Sequence, residues 1–235
     1  MFSRSPSNIS LLPSIESDPF AGPWLAEKDH TDGSLIHLLN DEISTPAPPS
    51  PVLHIQSPAL HTTFIRCPSV GSDLHIKHPW LHIQVKQLLG HEWSFEVGIV
   101  DHAGREGIIR CSTFEVAAFS PFLVHYSSLC LPQDQPSLKL SADAPPLLHL
   151  PLTFPSASSL PLTSWCSVDL NVATYLPPFS ASNLLTAPSQ TCPLEPMQPV
   201  PSGTFSHISY IKVYASCKLR RIWLSETWPS DQQVP

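Results

Sequence analysis

Proline sets the tightest limit on what this chain can build. There are 28 among 235 residues, and twelve of them fall between Pro145 and Pro201. Each lacks the backbone N–H that a sheet ladder needs, and each clashes inside a helix. No lysine or arginine stands between Lys139 and Lys212. The stretch therefore reads as two long disordered loops, about 131–164 and 178–203, with a more ordinary segment, Trp165 to Leu176, between them. Loop closure depends only weakly on length, so the first of these loops is expected to be dispensable for folding. Pro46 to Pro51 reads as a connector of polyproline character.

Elsewhere apolar residues recur every second position, which places successive side chains on opposite faces of a strand. Leu81, Ile83 and Val85 alternate with His82, Gln84 and Lys86; Trp93, Phe95, Val97 and Ile99 alternate with Ser94, Glu96 and Gly98. With the run Gly107 to Phe114 these form an expected antiparallel meander, turning at Asp101–Gly104. Val52–Gln56 and Thr62–Arg66 are expected to pair with each other. So are His207–Ala215 and Lys218–Ser225, hinged near Ser216 and Cys217. The helix candidate is Ser34 to Glu42. Many short strands predict an all-β chain: a jelly-roll-like antiparallel β-sandwich with one or two short helices, spanning 9–235 behind a flexible tail, 1–8.

Composition narrows the function. The net charge of −7 speaks against general nucleic-acid binding, which needs a basic surface to displace counterions. No apolar run reaches the roughly 18 residues of a membrane helix, and the N-terminus lacks a secretory h-region, so no membrane partner and an intracellular, cytoplasmic location are expected. The six cysteines form no C-x-x-C pair and read as reduced, buried thiols. His75, His78 and His82 are the densest histidine group, but Pro79 breaks any element that could aim all three at one ion; no metal and no cofactor is expected. There is no G-x-S-x-G elbow, no paired carboxylates and no glycine-rich phosphate cradle, so no catalytic residue is assigned.

What remains is a binding surface. Four of the twelve basic residues, Lys212, Lys218, Arg220 and Arg221, fall in the last 24 positions. In a regular strand Arg220 and Arg221 would point to opposite faces. Trp93 and Trp223 read as core, and Trp228, beside Pro229, as exposed.

At these residues a resemblance emerges. Ala215-Ser216-Cys217-Lys218-Leu219-Arg220-Arg221-Ile222-Trp223-Leu224-Ser225 resembles A-N-C-R-I-R-R-V-Y-F-S, the closing motif of the cilia- and flagella-associated protein 20 family. Phe64-Ile65-Arg66-Cys67-Pro68 is similar to that family's Y-I-T-C-P, Trp93-Ser94-Phe95-Glu96-Val97 to F-T-F-E-V, and Arg110-Cys111-Ser112-Thr113-Phe114 to R-A-S-N-Y. Gly33 to Thr45 is similar to the stretch after its G-H-I. The matches run in register over roughly Ile9 to Val234, outside the proline-rich stretches, which the compact members lack. The resemblance implies a jelly-roll sandwich without a catalytic centre. It also implies an axonemal scaffold on tubulin at the inner junction of doublet microtubules, hence a cytoskeletal or ciliary location. Lys212, Lys218, Arg220, Arg221, Arg105, Arg110 and Trp228 are the partner-binding candidates. Two of the family's basic runs are thinned here, at Arg105–Arg110 and Ala173–Pro178. Two other roles fit the composition: an adaptor whose proline-rich loops dock on polyproline-reading domains, and a carbohydrate-binding sandwich.

Overall fold

The computed structural model describes residues 8–12, 22–29, 33–41, 50–88, 91–114, 136–154, 165–185 and 198–228. Its strands, in chain order, are β1 (Ile9–Leu12), β2 (Leu25–Glu27), β3 (Leu35–Asp41), β4 (Ser50–Gln56), β5 (Phe64–Cys67), β6 (Trp80–Gln87) and β7 (Ser94–Asp101). There follow β8 (Glu106–Ser112), β9 (Ser137–Lys139), β10 (Leu147–Pro151), β11 (Cys166–Asn171), β12 (Phe205–Tyr214) and β13 (Cys217–Ser225). They form two sheets, one in the order β11-β6-β13-β4-β3 with β1 added to β13, the other in the order β2-β5-β12-β7-β8-β10-β9. Pairing is antiparallel except between β8 and β10, which run parallel. The all-β sandwich expected from the alternation is what the chain builds.

The inward phase of each strand makes the core. Leu53, Ile55, Leu81, Ile83, Val85, Leu219, Ile222 and Leu224 from the six-stranded sheet face Ile65, Phe95, Val97, Ile99, Ile109, Ile211 and Val213 from the seven-stranded one, all fully buried. Trp93 joins them, its ring 5.4 Å from Phe95. Phe179 closes one end: its ring lies only 2.9 Å from where a Cβ on residue 107 would stand, so only glycine is admitted there. Phe179 comes from one of three short 3-10 turns, Val172–Tyr175, Pro177–Ser180 and Ser182–Leu184, the first tied to the start of β6 by Val172 N–H donating to the Pro79 carbonyl (2.9 Å). No helix among the described residues is long and apolar enough to cross a membrane.

The structure corrects several expectations. The expected helix Ser34 to Glu42 is not formed over its described residues, 34–41: Leu35–Asp41 is strand β3, paired with β4 along its whole length. A helix of two turns is marginal in water, and seven ladder positions beside a buried strand outweigh its propensity. Three pairs of consecutive strands expected to be neighbours lie in opposite sheets instead: β4 and β5, β6 and β7, and β12 and β13. The meander is thus only the hairpin β7–β8. Sheets packed about 10 Å apart are bridged by links of a few residues, and alternation reads the same on either side of the core. The link between β12 and β13 is pinned: Ala215 N–H donates to the Thr63 carbonyl (3.0 Å) and Ser216 N–H to the Glu92 carbonyl (3.1 Å).

The stretch 131–164 is not all loop. β9 and β10 lie within it, and Leu138, Leu148, Leu150 and Leu152 are in the core. Prolines 145 and 146 precede β10 and Pro151 ends it, so Leu147–Leu150 keep the donors that the ladder needs. The start of the second stretch, 178–203, is likewise ordered into 3-10 turns around Phe179. Residues 155–164 and 186–197, residues 46–49 of the proline connector, and the tail apart from residue 8 lie outside the described residues.

Candidate functional site

The basic residues fall on two opposite faces, and their surroundings differ. On the outside of the seven-stranded sheet one register row runs Arg66, Lys212, Glu96, Arg110, His149 across β5, β12, β7, β8 and β10. Glu96 is only 5% exposed. Its carboxylate accepts hydrogen bonds from Arg110 Nε (2.8 Å), from the Arg110 Nη2 group, from Tyr214 Oη (3.0 Å) and from Tyr210 Oη (3.4 Å). The Arg66 guanidinium lies 3.8 Å over the Tyr210 ring, and Lys212 Nζ lies 3.6 Å over Phe64 and 4.6 Å over Tyr214. Gly98 makes room: a Cβ there would stand 2.4 Å from Tyr210. Burial pushes both tyrosine hydroxyls up and Glu96 pushes them further; burial lowers Lys212, against the pull of Glu96. Here the cations are spent on holding one buried acid and its aromatic frame.

The outside of the six-stranded sheet is arranged otherwise. Lys86, Lys218, His54 and His37 form a row across β6, β13, β4 and β3. Next to it stand Arg220 and Arg221. The register between β13 and β6 shifts between Leu219 and Arg221, so Arg220 is an extra residue in a bulge. Leu219 and Ile222 both stay buried while Arg220 and Arg221 are both half-exposed, so the two arginines share the outer face instead of dividing between faces. The Arg220 guanidinium lies 4.1 Å over Trp165 and that of Arg221 5.5 Å from the Trp223 ring centre. Among the described residues no carboxylate pairs with Lys86, Lys218 or Arg221. His54 senses this field: burial lowers its pKa, and His37 and Lys218 lower it further.

Beside this patch lies a Ser–His–Asp string. His82 Nδ1 is 2.5 Å from Asp169 Oδ1 and Nε2 is 2.8 Å from Ser225 Oγ. The Ser225 hydroxyl also donates to the Thr227 carbonyl (2.7 Å). His82 and Ser225 are both buried, beneath the surface of the sheet. The imidazole stacks on Trp223 (4.9 Å), which makes Trp223 an outer-face residue and not the expected core residue. The Trp80 ring runs nearly parallel to the same imidazole at 6.4 Å, and Trp228, 49% exposed, packs edge-on against Trp80 at 4.8 Å.

Of the remaining candidates, Arg105 is engaged by Asp101 through Nη2 (2.7 Å) and Nε (2.8 Å). Asp101 also accepts from the backbone N–H groups of Ala103, Arg105, Ser202 and Gly203, tying the β7–β8 turn to the entry of β12. Burial would raise its pKa, but these donors hold it at about 2, below the ordinary 3.8. A carboxyl depressed on folding stabilises the fold in full above the unfolded value and loses that stabilisation as pH falls through the folded one. The melting-temperature gap between wild type and Asp101→Asn should therefore be largest above about pH 4 and close as the pH approaches 2. A gap that ignores pH would show that the charge contributes nothing.

The three histidines His75, His78 and His82 are not brought together: His78 faces Glu226 (3.9 Å), and His75 faces Asp73 and His207. Sequence reasoning found Lys218, Arg220 and Arg221, but it missed Lys86, Arg66 and Glu96. Their outward phase was readable, yet which strands lie beside them was not. Of the cysteines, Cys67, Cys111 and Cys217 are buried thiols and Cys166 is a half-buried one; burial pushes the Cys67 thiol up to about 11.

Several solved structures align with this one at low similarity. A meso-active thermostable cellulase derived from Cel12A of Rhodothermus marinus aligns over 86% of this chain and 99% of its own at 6% identity and a TM-score of 0.38. A family 12 glycoside hydrolase aligns over 88% and 100% at 10% identity (TM-score 0.37). The xyloglucanase domain of NopAA from Sinorhizobium fredii aligns over 87% and 96% at 10% identity (TM-score 0.32). Identities and scores this low assign neither substrate nor activity to the present chain. No curated protein matches it in sequence. The CFA20 domain model, by contrast, matches residues 1–133, from before β1 to beyond the hairpin β7–β8. With more than half of its length under that match, the chain belongs to the CFA20 domain family.

Proposed function

We propose that the protein is a non-enzymatic ciliary scaffold that docks on the acidic surface of a microtubule, using the outer face of the six-stranded sheet. The observation that carries this is the patch of Lys86, Lys218 and Arg221, which no described carboxylate neutralises, flanked by Arg220 over Trp165. Cations held by a rigid ladder lose little freedom on binding, and an opposed acidic surface both steers the encounter and sets its register. Family membership supports the ciliary setting. The opposite face, with its cations gathered round Glu96, is structural in this reading.

Co-sedimentation with polymerised tubulin tests it. Lys218→Glu with Arg221→Glu should keep the folded signal, since both cations are half-exposed with no described carboxylate partner, and surface charge changes alter stability by about 0.5 kcal/mol or less each. Microtubule affinity should drop by at least about tenfold, and what remains should depend less on salt. Lys77→Glu, an exposed cation off this face, should bind as wild type does. Failure of the wild type to sediment with microtubules, or equal sedimentation by the double variant, would sink the proposal.

A further inference from the structure

The segment between β5 and β6 lies against the start of β12. Leu74 N–H donates to the Ser209 carbonyl (2.9 Å) and Ile208 N–H to the Ile76 carbonyl (2.8 Å), with Ile76 and Ile208 bridged antiparallel. Leu74 and Ile76 pack on the core, so the residues between and before them, His75 and Asp73, are turned outward, on the same side as His207. His75 adopts φ 51°, the left-handed region that few side-chain-bearing residues enter, and its N–H donates to Asp73 Oδ1 (2.7 Å). That wrap carries its ring over His207, with centroids 4.8 Å apart.

We propose that Asp73, His75 and His207 form a binding site for a divalent transition-metal ion, zinc being the physiological choice. Their donor atoms all lie within 4.8 Å of one another, with His207 Nε2 to Asp73 Oδ2 at 3.1 Å and His75 Nδ1 to Asp73 Oδ1 at 3.5 Å. Ligands about 2.0–2.1 Å from a tetrahedral ion stand roughly 3.3 Å from each other, so the set needs little movement to close on one. Two imidazoles and one carboxylate favour zinc, cobalt, nickel or copper over magnesium and calcium, which take oxygen ligands. The third element is the hydroxyl of Ser206, 3.0 Å from His207 Nδ1. In one neutral tautomer it donates to Nδ1 while Nε2–H donates to Asp73. With an ion it accepts from Nδ1–H, and the Nε2 lone pair turns to the metal. One serine thus supports both tautomers, taking the place of the carboxylate, carbonyl or water that usually accepts from the other ring nitrogen of a metal-bound histidine. The His75 side chain is 73% exposed, so solvent supplies the fourth ligand and the ion exchanges freely. This grouping could not be read from D-x-H alone, because its third member lies more than 130 positions away.

Calorimetric titration of the purified chain with zinc chloride, beside melting curves and the visible absorption of cobalt(II), tests this. One zinc per chain is expected, with a rise in melting temperature of roughly 5 °C or more at hundredfold excess over Kd. Affinity should fall at least about tenfold in His75→Ala and in His207→Ala, and not in His91→Ala, an exposed histidine elsewhere. His75→Ala removes an exposed ring, so its metal-free melting curve should match wild type and keep the comparison interpretable. Absence of zinc binding by the folded wild type would overturn the proposal. So would binding unchanged in both ligand variants, which would place the ion on other histidines.

Discussion

Replacing residues 136–154 by a Gly/Ser linker is expected to abolish cooperative unfolding. The segment supplies Leu138, Leu148, Leu150 and Leu152, exposed by 2%, 0%, 4% and 1%. Burying a leucine contributes roughly 1.5–3 kcal/mol, and four of them rival the whole stability of a typical domain, about 5–15 kcal/mol. The exchange would also strip β8 of its parallel partner, leaving Ile108 N–H without the Pro146 carbonyl and the Ser112 carbonyl without Leu152 N–H. A freshly exposed strand edge templates aggregation as well. Circular dichroism and calorimetry on the two chains decide the point: a sharp melt within a few degrees of wild type would return the segment to the status of a loop.

Glu96→Ala is expected to cost about 3–5 kcal/mol, the usual penalty for stranding a buried charge, and to lower the melting temperature on the order of 10 °C. The loss has three parts. Burial alone would lower the Arg110 pKa and Glu96 raises it, so removing the acid leaves a half-buried guanidinium uncompensated. Tyr210 and Tyr214 lose the acceptor of their hydroxyls. Arg66, Lys212 and Arg110 then face one another with no anion between them. Glu96→Gln keeps an acceptor without the charge and should lose about half as much. A double-mutant cycle with Arg110→Ala isolates the pair. Glu96→Ala within about 1 kcal/mol of wild type would show that the row tolerates repulsion.

By itself the sequence determined the alternation, and with it the inward set of the regular strands. Leu81, Ile83 and Val85, or Phe95, Val97 and Ile99, are core because side-chain direction has a period of two, a property of neighbouring residues alone. The family was legible from short motifs, and the match over residues 1–133 bears it out. Only the tertiary structure decided which sheet each strand joins, that Leu35–Asp41 is a strand, and that β10 threads a proline-rich stretch. It also decided that a bulge turns both arginines to one side, where Lys86 of a strand far off in sequence meets Lys218. Each of these depends on a partner strand elsewhere in the chain. The contact that settles a strand's place is made across the sheet or the core, and no local pattern records it.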